Sequence, residues 1–533
     1  MRKAIYIFMA ATLFAATGAK AQNHEIYGGY LMTRHYLPES DLASMSQYNP
    51  MFGTARSAAM GGAFTSLGAD LYAMSLNPAG LGMYQSSEFS LTPTISFGKM
   101  ESRAGGVSMD GGNKTRFAFN NIGTALNVYQ SSGTLTSFTF GFAYNKLADY
   151  NYKSRIGMTG NRFSIADVFT RQLRGIDPND LLRDRPWYNY DIGVGQWGAV
   201  LGYKTYLLDS GDGGANYYVT GFGDNTDISN MLQVNSKGSI GEYNFSGGFN
   251  LVNKVYLGFS FSFLNIYRKQ SVMFSESYSG DFGDIPLEDY ISGMDYGQYT
   301  RIYGYGFNMK FGAIYRPIPE LRLGVAVHTP TWTSIDTEYG ASMASHFPNR
   351  YPGTEATSNP QNVKFEYDYR TPTRLMFGAS YTFAGMGIIS FDYERTWYDK
   401  TRLNDDDPWL ESYYRQYFDD NFKAANTFRV GLEVLPTRGV SLRAGYARSD
   451  SFLRNDYSKD APIPYEWQNI SGGVGFLLGN QWSLDLAYVY SKTKFTDCEL
   501  FVYMDNNLDF RPAYEVRSEM KRHNIMATLS YRF

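Results

Sequence analysis

The sequence is poor in several things, and each scarcity excludes a class. It has one cysteine, Cys498, in 533 residues, so no intramolecular disulfide framework is possible. That cysteine is also far from the N-terminus, where a lipoprotein anchor would be attached. Charged residues are only 19%, below the roughly 25% of soluble domains. Lys and Arg number 48 against 51 Asp and Glu, a net charge of −3, which excludes the basic excess of a nucleic-acid binder. Beyond the N-terminus no run reaches about 18 apolar residues, so no transmembrane helix is expected. The five histidines, His24, His35, His328, His346 and His523, show no Ser/His/Asp or metal-ligand spacing. Gly193-Val194-Gly195-Gln196-Trp197-Gly198 matches G-x-G-x-x-G but lacks the strand–helix context of a dinucleotide site. Asp405-Asp406-Asp407 lacks the spacing of an EF-hand loop. Neither an enzyme, a cofactor nor a metal is expected.

Aromatics and glycine are abundant instead: 45 Tyr, 37 Phe, 7 Trp and 54 Gly, with a mean hydropathy of −0.35. This aromatic content argues against disorder. Arg2 and Lys3, the apolar run Ala4 to Ala16, and Ala19-Lys20-Ala21 read as a secretory signal peptide over 1–21. Residues 22–85 form a separate N-terminal region rich in small side chains. From 86 to 533 the chain alternates with period two. Val255, Leu257, Phe259, Phe261 and Phe263 fall on one face, and Tyr256, Gly258, Ser260 and Ser262 on the other.

Fourteen such segments are predicted: 86–97, 115–129, 134–152, 229–252, 254–276, 299–316, 320–330, 363–384, 386–399, 424–435, 439–450, 467–479, 481–494 and 515–533. The connections between them are alternately tight and long. That is the signature of an all-β, antiparallel transmembrane barrel of about 14 strands, with short periplasmic turns and long extracellular loops. The apolar face would meet lipid and the polar face the lumen. Closure would leave no backbone unpaired in hydrocarbon. Tyr129, Tyr144, Tyr315, Trp397, Tyr446, Trp482 and Tyr490 suit interfacial girdles. The last strand alternates through Ile525, Ala527, Leu529 and Tyr531 to a terminal Phe533 and resembles the signal read by the outer-membrane assembly machinery. The expected location is the cell outer membrane, with its lipid as surroundings.

Within the N-terminal region, Gly53 to Phe64 is rich in Ala and Gly. Asp70 follows, and then Asn77-Pro78-Ala79-Gly80-Leu81. This succession resembles the N-terminal hatch of the FadL/TodX family of outer-membrane transporters for long-chain fatty acids and other hydrophobic compounds. The resemblance implies a barrel plugged by a hatch inside the lumen, with Asp70, Asn77, Pro78, Ala79 and Gly80 in hatch or gating roles. It also implies passive uptake: capture at extracellular loops, hatch movement, and lateral release through a wall gap associated with a kink in strand three. An alternative within the same architecture is a barrel that docks a protein partner for export or surface attachment.

Two groups of residues are candidates beyond the hatch. In the long connection 153–228, Ser164-Ile165-Ala166-Asp167 resembles a capping box, and Ile165, Val168, Phe169 and Leu173 follow at helical spacing. With Trp187 and Trp197 they offer an apolar surface that either binds a hydrophobic ligand or packs on the barrel rim. Period two also places Asp392, Glu394, Arg429, Glu433, Arg443 and Asp485 inward, along with Lys310, Arg322 and Arg374. These form either a network that holds the hatch or binds a carboxylate, or mutual pairs of charges that cannot face lipid. Asn77-Pro78 is equally a turn dipeptide.

Overall fold

The computed structural model describes residues 45–47, 49, 51–161, 163–182, 194–211, 216–220, 222, 226–280, 290–348, 354–358, 361–383, 386–404, 408–454, 463–504, 510–512 and 514–533. The signal segment, Trp187 and Asp405–Asp407 lie outside the described residues.

Fourteen strands close into one barrel. They are β1 (Glu88–Ala104), β2 (Lys114–Gln130), β3 (Leu135–Asp149, continued by Tyr152–Asn161), β4 (Thr226–Leu251), β5 (Val255–Gly280), β6 (Gly293–Tyr315) and β7 (Leu321–His328, continued by Trp332–His346). Then come β8 (Val363–Arg370 and Arg374–Phe383), β9 (Gly387–Trp397 and Arg402–Asn404), β10 (Ala424–Thr437), β11 (Val440–Ser449), β12 (Pro464–Leu478), β13 (Trp482–Phe495) and β14 (Glu515–Arg532). Each pairs antiparallel with its neighbours, and β14 pairs with β1 from Glu88↔Arg532 to Arg103↔Arg517. Backbone bonds between Ser87 and Phe533 in both directions, at 3.0 and 3.2 Å, finish the seam.

The period-two pattern explains the belt. On β5, Leu257, Phe261, Phe263 and Tyr267 are exposed, whereas Tyr256, Ser260, Ser262 and Leu264 are buried. Tyr129, Tyr315 and Trp482 stand exposed at the end with the short turns. Among the described residues no helix is long and apolar enough to cross a membrane; the strands do that.

Two expectations about the wall need correction. The stretches 98–114 and 331–362, expected as loops, are largely strand: β1 runs to Ala104, with a short strand Val107–Asp110 turned back on it, and β7 runs to His346. Period two persists there, but the outer face becomes polar above the belt, as in Ser271, Ser275 and Ser277 of β5, so the hydrophobic alternation disappears. Second, the lumen is not uniformly polar. At mid-height Ile240, Leu264, Ile266, Ile302 and Ile335 point inward and are at most 4% exposed.

Residues 51–84 form a plug inside the lumen. Its helix Ala55–Ala59 is capped by Thr54, and its 3-10 helix Pro78–Met83 by Asn77, whose side chain accepts from Ala79 N at 3.1 Å. Backbone touches backbone at this contact. A Cβ on Gly258 of β5 would lie 2.2 Å from Pro78 C, and one on Gly445 of β11 would lie 2.1 Å from Gly61 N. Only glycine admits so close an approach.

The mouth is capped from within. The connection 153–228, expected as an outward loop, first prolongs β3 and then folds over the opening. Helices Ile165–Gln172 and Trp197–Lys204 pack against inward side chains of β4–β7, Phe274, Tyr296 and Tyr339 among them. A further helix, Pro408–Asn421, buries Tyr414 and Phe418 in a cluster that includes Ile240, Ile266 and Ile335. Burying these faces in the mouth satisfies an apolar stripe that water would leave exposed.

Candidate functional site

The wall is incomplete between β2 and β3. Their pairing runs from Gln130↔Ser137 to Asn121↔Asn145 and stops. Residues 114–119 of β2 pair with β1 on one side, with a bulge at Asn120, but have no strand on the other among the described residues. Strand β3 breaks at Tyr150 and Asn151, between Asp149 and Tyr152. Its continuation is paired with β4 and sits under the β1 turn, where Ser102 and Ser154 hydroxyls meet at 2.9 Å. The result is a window bounded below by the end of the β2–β3 ladder and above by that turn. Phe117 and Phe119 flank it on the lipid face.

Gly238 on β4 anchors the break. Its φ of 147° turns its carbonyl to Tyr150 N (3.0 Å) and Asn151 Nδ2 (2.9 Å). Arg116 and Lys114 of β2 reach across the window. Arg116 donates to Asp149 at 3.1 Å, and Lys114 to Ser236 O at 2.6 Å and Asn235 Oδ1 at 3.0 Å. Asp149 also meets Lys146, and Arg522 of β14 at 3.4 Å. One carboxylate therefore faces three cations.

Behind the window lies a cavity of about 100 Å³. Phe52, Tyr150, Tyr152, Trp467, Phe495 and Met520 give it an aromatic and apolar lining, which Gln47, Asn49, Thr493, Asp149, Arg268 and Arg522 complete with polar groups. Met51 and Phe52 come from the plug, so any shift of the plug changes the cavity.

The luminal charges expected on β9–β13 form two groups that tie the plug to the wall; of the other three, Arg374 of β8 joins the first, Lys310 lies on β6, and Arg322 of β7 donates to Leu67 O of the plug at 3.4 Å. Thr65 of the plug donates its N and Oγ1 to Asp392 at 2.8 and 2.7 Å. Glu394 pairs with Arg429, and with Arg374 at 3.5 Å. Arg443 bridges Glu433 and Asp485, each at 2.5 Å, and Arg56 of the plug reaches Glu433 at 3.3 Å. Two further ties were not among the expected ones: Ser75 Oγ to Glu242 (2.6 Å), itself paired with Lys310 (2.5 Å), and His328 Nε2 to Leu76 O (2.8 Å).

The hatch residues divide. Asp70 stays within the plug, accepting from Thr54 Oγ1 at 2.7 Å and Tyr72 N at 2.9 Å. Asn77 is both turn and tie: Nδ2 donates to Thr65 O at 2.6 Å and reaches the β7 carbonyl of Val325 at 3.3 Å. Pro78, Ala79 and Gly80 are buried against β5 and the rest of the plug.

In the cap, Ile165, Val168, Phe169, Leu173 and Trp197 fall in one closed core, none more than 6% exposed. The capping box at Ser164 and Asp167 forms, and Glu276 of β5 clamps it, accepting from Ser164 Oγ (2.5 Å), Ile165 N (3.1 Å) and Tyr278 OH (2.9 Å). Glu276 stands nine residues above Tyr267, outside the membrane belt. Burial outweighs these donors and pushes its carboxyl up to about 7. Among the described residues no cluster of His, Cys, Asp and Glu can hold a metal.

No family model and no curated protein sequence matches the chain. Among solved structures, the P. putida toluene transporter TodX superposes with a TM-score of 0.51 at 12% identity, over 91% of this chain and 99% of that one. The barrel has the TodX fold. Two further solved structures align at lower scores. The Ralstonia pickettii toluene transporter TbuX reaches 0.48 at 14% identity, over 91% and 99% of the two chains. A Pseudomonas aeruginosa FadL homologue reaches 0.45 at 15% identity, over 91% and 98%. The TodX fold thus accounts for nearly the whole described barrel.

The sequence reading missed the window residues Arg116, Asp149 and Tyr150. One signal was available: Gly238 of β4, at a positive φ, lies opposite a stretch of β3 that has neither Gly nor Pro.

Proposed function

We propose that this protein is a passive outer-membrane transporter that admits hydrophobic small molecules and releases them sideways into the membrane. The observation that carries the reading is the largely aromatic cavity directly behind an unpaired stretch of wall at the upper edge of the aromatic belt. A protein-docking barrel needs an exposed surface; it has no need of that path. A ligand entering it gains roughly 0.8 kcal/mol per buried methylene and reaches lipid without crossing water. TodX, with the same fold, is a toluene transporter, which supports the substrate class.

In this reading the cap, with Ile165, Val168, Phe169, Leu173 and Trp197, lifts to present its apolar side to the incoming ligand. The plug then shifts about Asn77–Gly80, and Phe52 moves from the cavity. The ligand leaves between β2 and β3 past Arg116 and Asp149. The three cations around the single Asp149 favour ligands with an acidic head group, long-chain fatty acids over plain hydrocarbons. The luminal ion pairs hold the plug in place between passages. Export through the 1–21 signal and recognition of the β14 end by the assembly machinery belong to the same proposal.

The test is to fill the cavity. Ala148 lines it and is 7% exposed. Ala148→Trp should assemble normally but lose at least tenfold in uptake of radiolabelled oleate or toluene by intact cells. Ala148→Gly should transport as the parent does. Full uptake by a correctly assembled Ala148→Trp protein would sink the lateral path. Solvent extraction and mass spectrometry of the purified parent protein would name the ligand class.

A further inference from the structure

The outer face of β4–β6 carries a row of cations that begins at the edge of the window, at Lys237, and runs away from it. Lys237 is paired across the sheet with Lys269, and Lys269 with Arg301. Directly opposed residues on one face have Cβ atoms about 5 Å apart, and like charges so placed destabilise a sheet. Three in succession therefore need an anion. Only Arg301 has one: Glu338 of β7, at 3.3 Å, which it shares with Lys364 of β8. Among the described residues no carboxylate forms an ion pair with Lys237 or Lys269. Of the other acidic side chains of the neighbourhood, Asp149, opposite Ser239, is taken by Arg116, Lys146 and Arg522, and Asp336 and Glu366 lie on β7 and β8.

The height of the row is informative. On β5 the outward residues run Leu257, Phe259, Phe261, Phe263, Asn265 and Tyr267, and Lys269 is next. Ten residues from Leu257 to Tyr267, at about 3.3 Å each and tilted by about 40°, span roughly 25 Å, the height of a barrel's apolar band. The row thus sits one position above the belt, on the side of the long loops, where head groups of the outer leaflet lie. Tyr267 and Tyr303, 5.4 Å apart, mark the boundary beneath it.

The cations are held ready. Lys269 Nζ lies 5.0 Å from the Tyr299 ring and the Arg301 guanidinium 5.3 Å from the same ring. Above them opens a groove of about 770 Å³ with a floor of small residues, Ser271, Gly297, Gly340 and Ser342, and with Lys153 and Arg155 at one edge. This shape suits a sugar lying over a flat polar floor with its phosphate on the cation row.

We infer that the outer face of β4–β6 is a binding site for a phosphorylated glycolipid of the outer leaflet, with the lipid phosphate on Lys237, Lys269 and Arg301, the sugar in the groove, and the acyl chains against the aromatic belt below. Phosphate prefers such clustered ammonium and guanidinium donors. The site faces away from the lumen.

The full-length protein, purified in a neutral detergent, is titrated with diphosphoryl lipid A and followed by native mass spectrometry. A one-to-one adduct is expected, weakened at least tenfold in the triple variant Lys237→Gln, Lys269→Gln, Arg301→Gln. Dephosphorylated lipid A should bind no better than it does to that variant. Glu338→Gln frees Arg301 and Lys364 and should tighten the adduct, a gain that misfolding cannot mimic. Millimolar inorganic phosphate should compete only weakly. Equal adducts on parent and triple variant would overturn the site, as would equal retention of phosphatidylglycerol, which would mean a generic anionic patch. Full competition by inorganic phosphate would mean a free-phosphate site instead.

Discussion

At Gly258 a single methyl group decides how deep the plug can sit. The carbon it would add lies 2.2 Å from Pro78 C, inside any real contact distance, and both partners are backbone. Gly258→Val should therefore lift the 3-10 turn from β5 at a cost of about 1–3 kcal/mol, the usual range for overpacking. Planar-bilayer recordings should then show ion conductance that the parent lacks, with the barrel still assembled. Silent bilayers would mean the plug accommodates the change. Arg443 is the converse case, a residue whose removal leaves too much behind. It sits between Glu433 and Asp485, and stripping it to alanine strands two carboxylates with only Arg56 nearby. Breaking a buried pair in this way costs on the order of 3–5 kcal/mol. Arg443→Ala should melt at a clearly lower temperature, and the further change Asp485→Asn should recover part of the loss.

At the scale of elements, the cap is a helix pair that one strand residue holds by its N-terminus. Glu276 accepts from Ser164 Oγ and Ile165 N at the start of helix Ile165–Gln172 and from Tyr278 OH of its own strand, yet burial raises its carboxyl from 4.5 to about 7. The folded cap thus binds this proton more tightly than the opened one. Stability from this source is complete below about pH 4.5 and is lost as pH rises through 7. The shift corresponds to roughly 3 kcal/mol at most. Proteolysis of the cap in detergent should accelerate between pH 5 and 8, and Glu276→Gln should flatten that dependence. A pH-independent rate in the parent would place the carboxylate in an already ionised state.

For the molecule as a whole, pairing of β14 with β1 closes the barrel and leaves the window between β2 and β3 as the one interruption among the described strands. Phe533 exchanges two backbone bonds with Ser87, and Tyr531 packs on Trp482 at 4.7 Å beside it. An unclosed barrel would leave strand edges in hydrocarbon, where each unsatisfied polar group costs several kcal/mol. Deleting Phe533 should lower the heat-modifiable, folded form in membranes several-fold while leaving detergent refolding nearly intact. Loss of both would locate the defect in the seam itself, not in recognition by the assembly machinery.

The sequence alone determined the barrel. Strand number, strand order and the inward set of charges follow from a two-residue period, because lipid on one side and a filled lumen on the other force every side chain of a membrane strand to choose a face. It also placed Ser164 as a helix cap and Asn77 in a turn, since both are local hydrogen-bond devices. What it could not hold was any property of two strands at once. Phe117 and Phe119 alternate in the same way whether or not β3 lies beside them, so the window between β2 and β3 left no mark on β2. The inward isoleucines at mid-height and the folding of the 153–228 segment into the mouth were equally hidden. Each is apolar surface satisfied by partners on other elements of the chain. The cation row of Lys237, Lys269 and Arg301 belongs to the same class: three unremarkable residues in the chain that become neighbours only through register. Local periodicity fixes which way a residue points; only the closed tertiary structure fixes what it meets there.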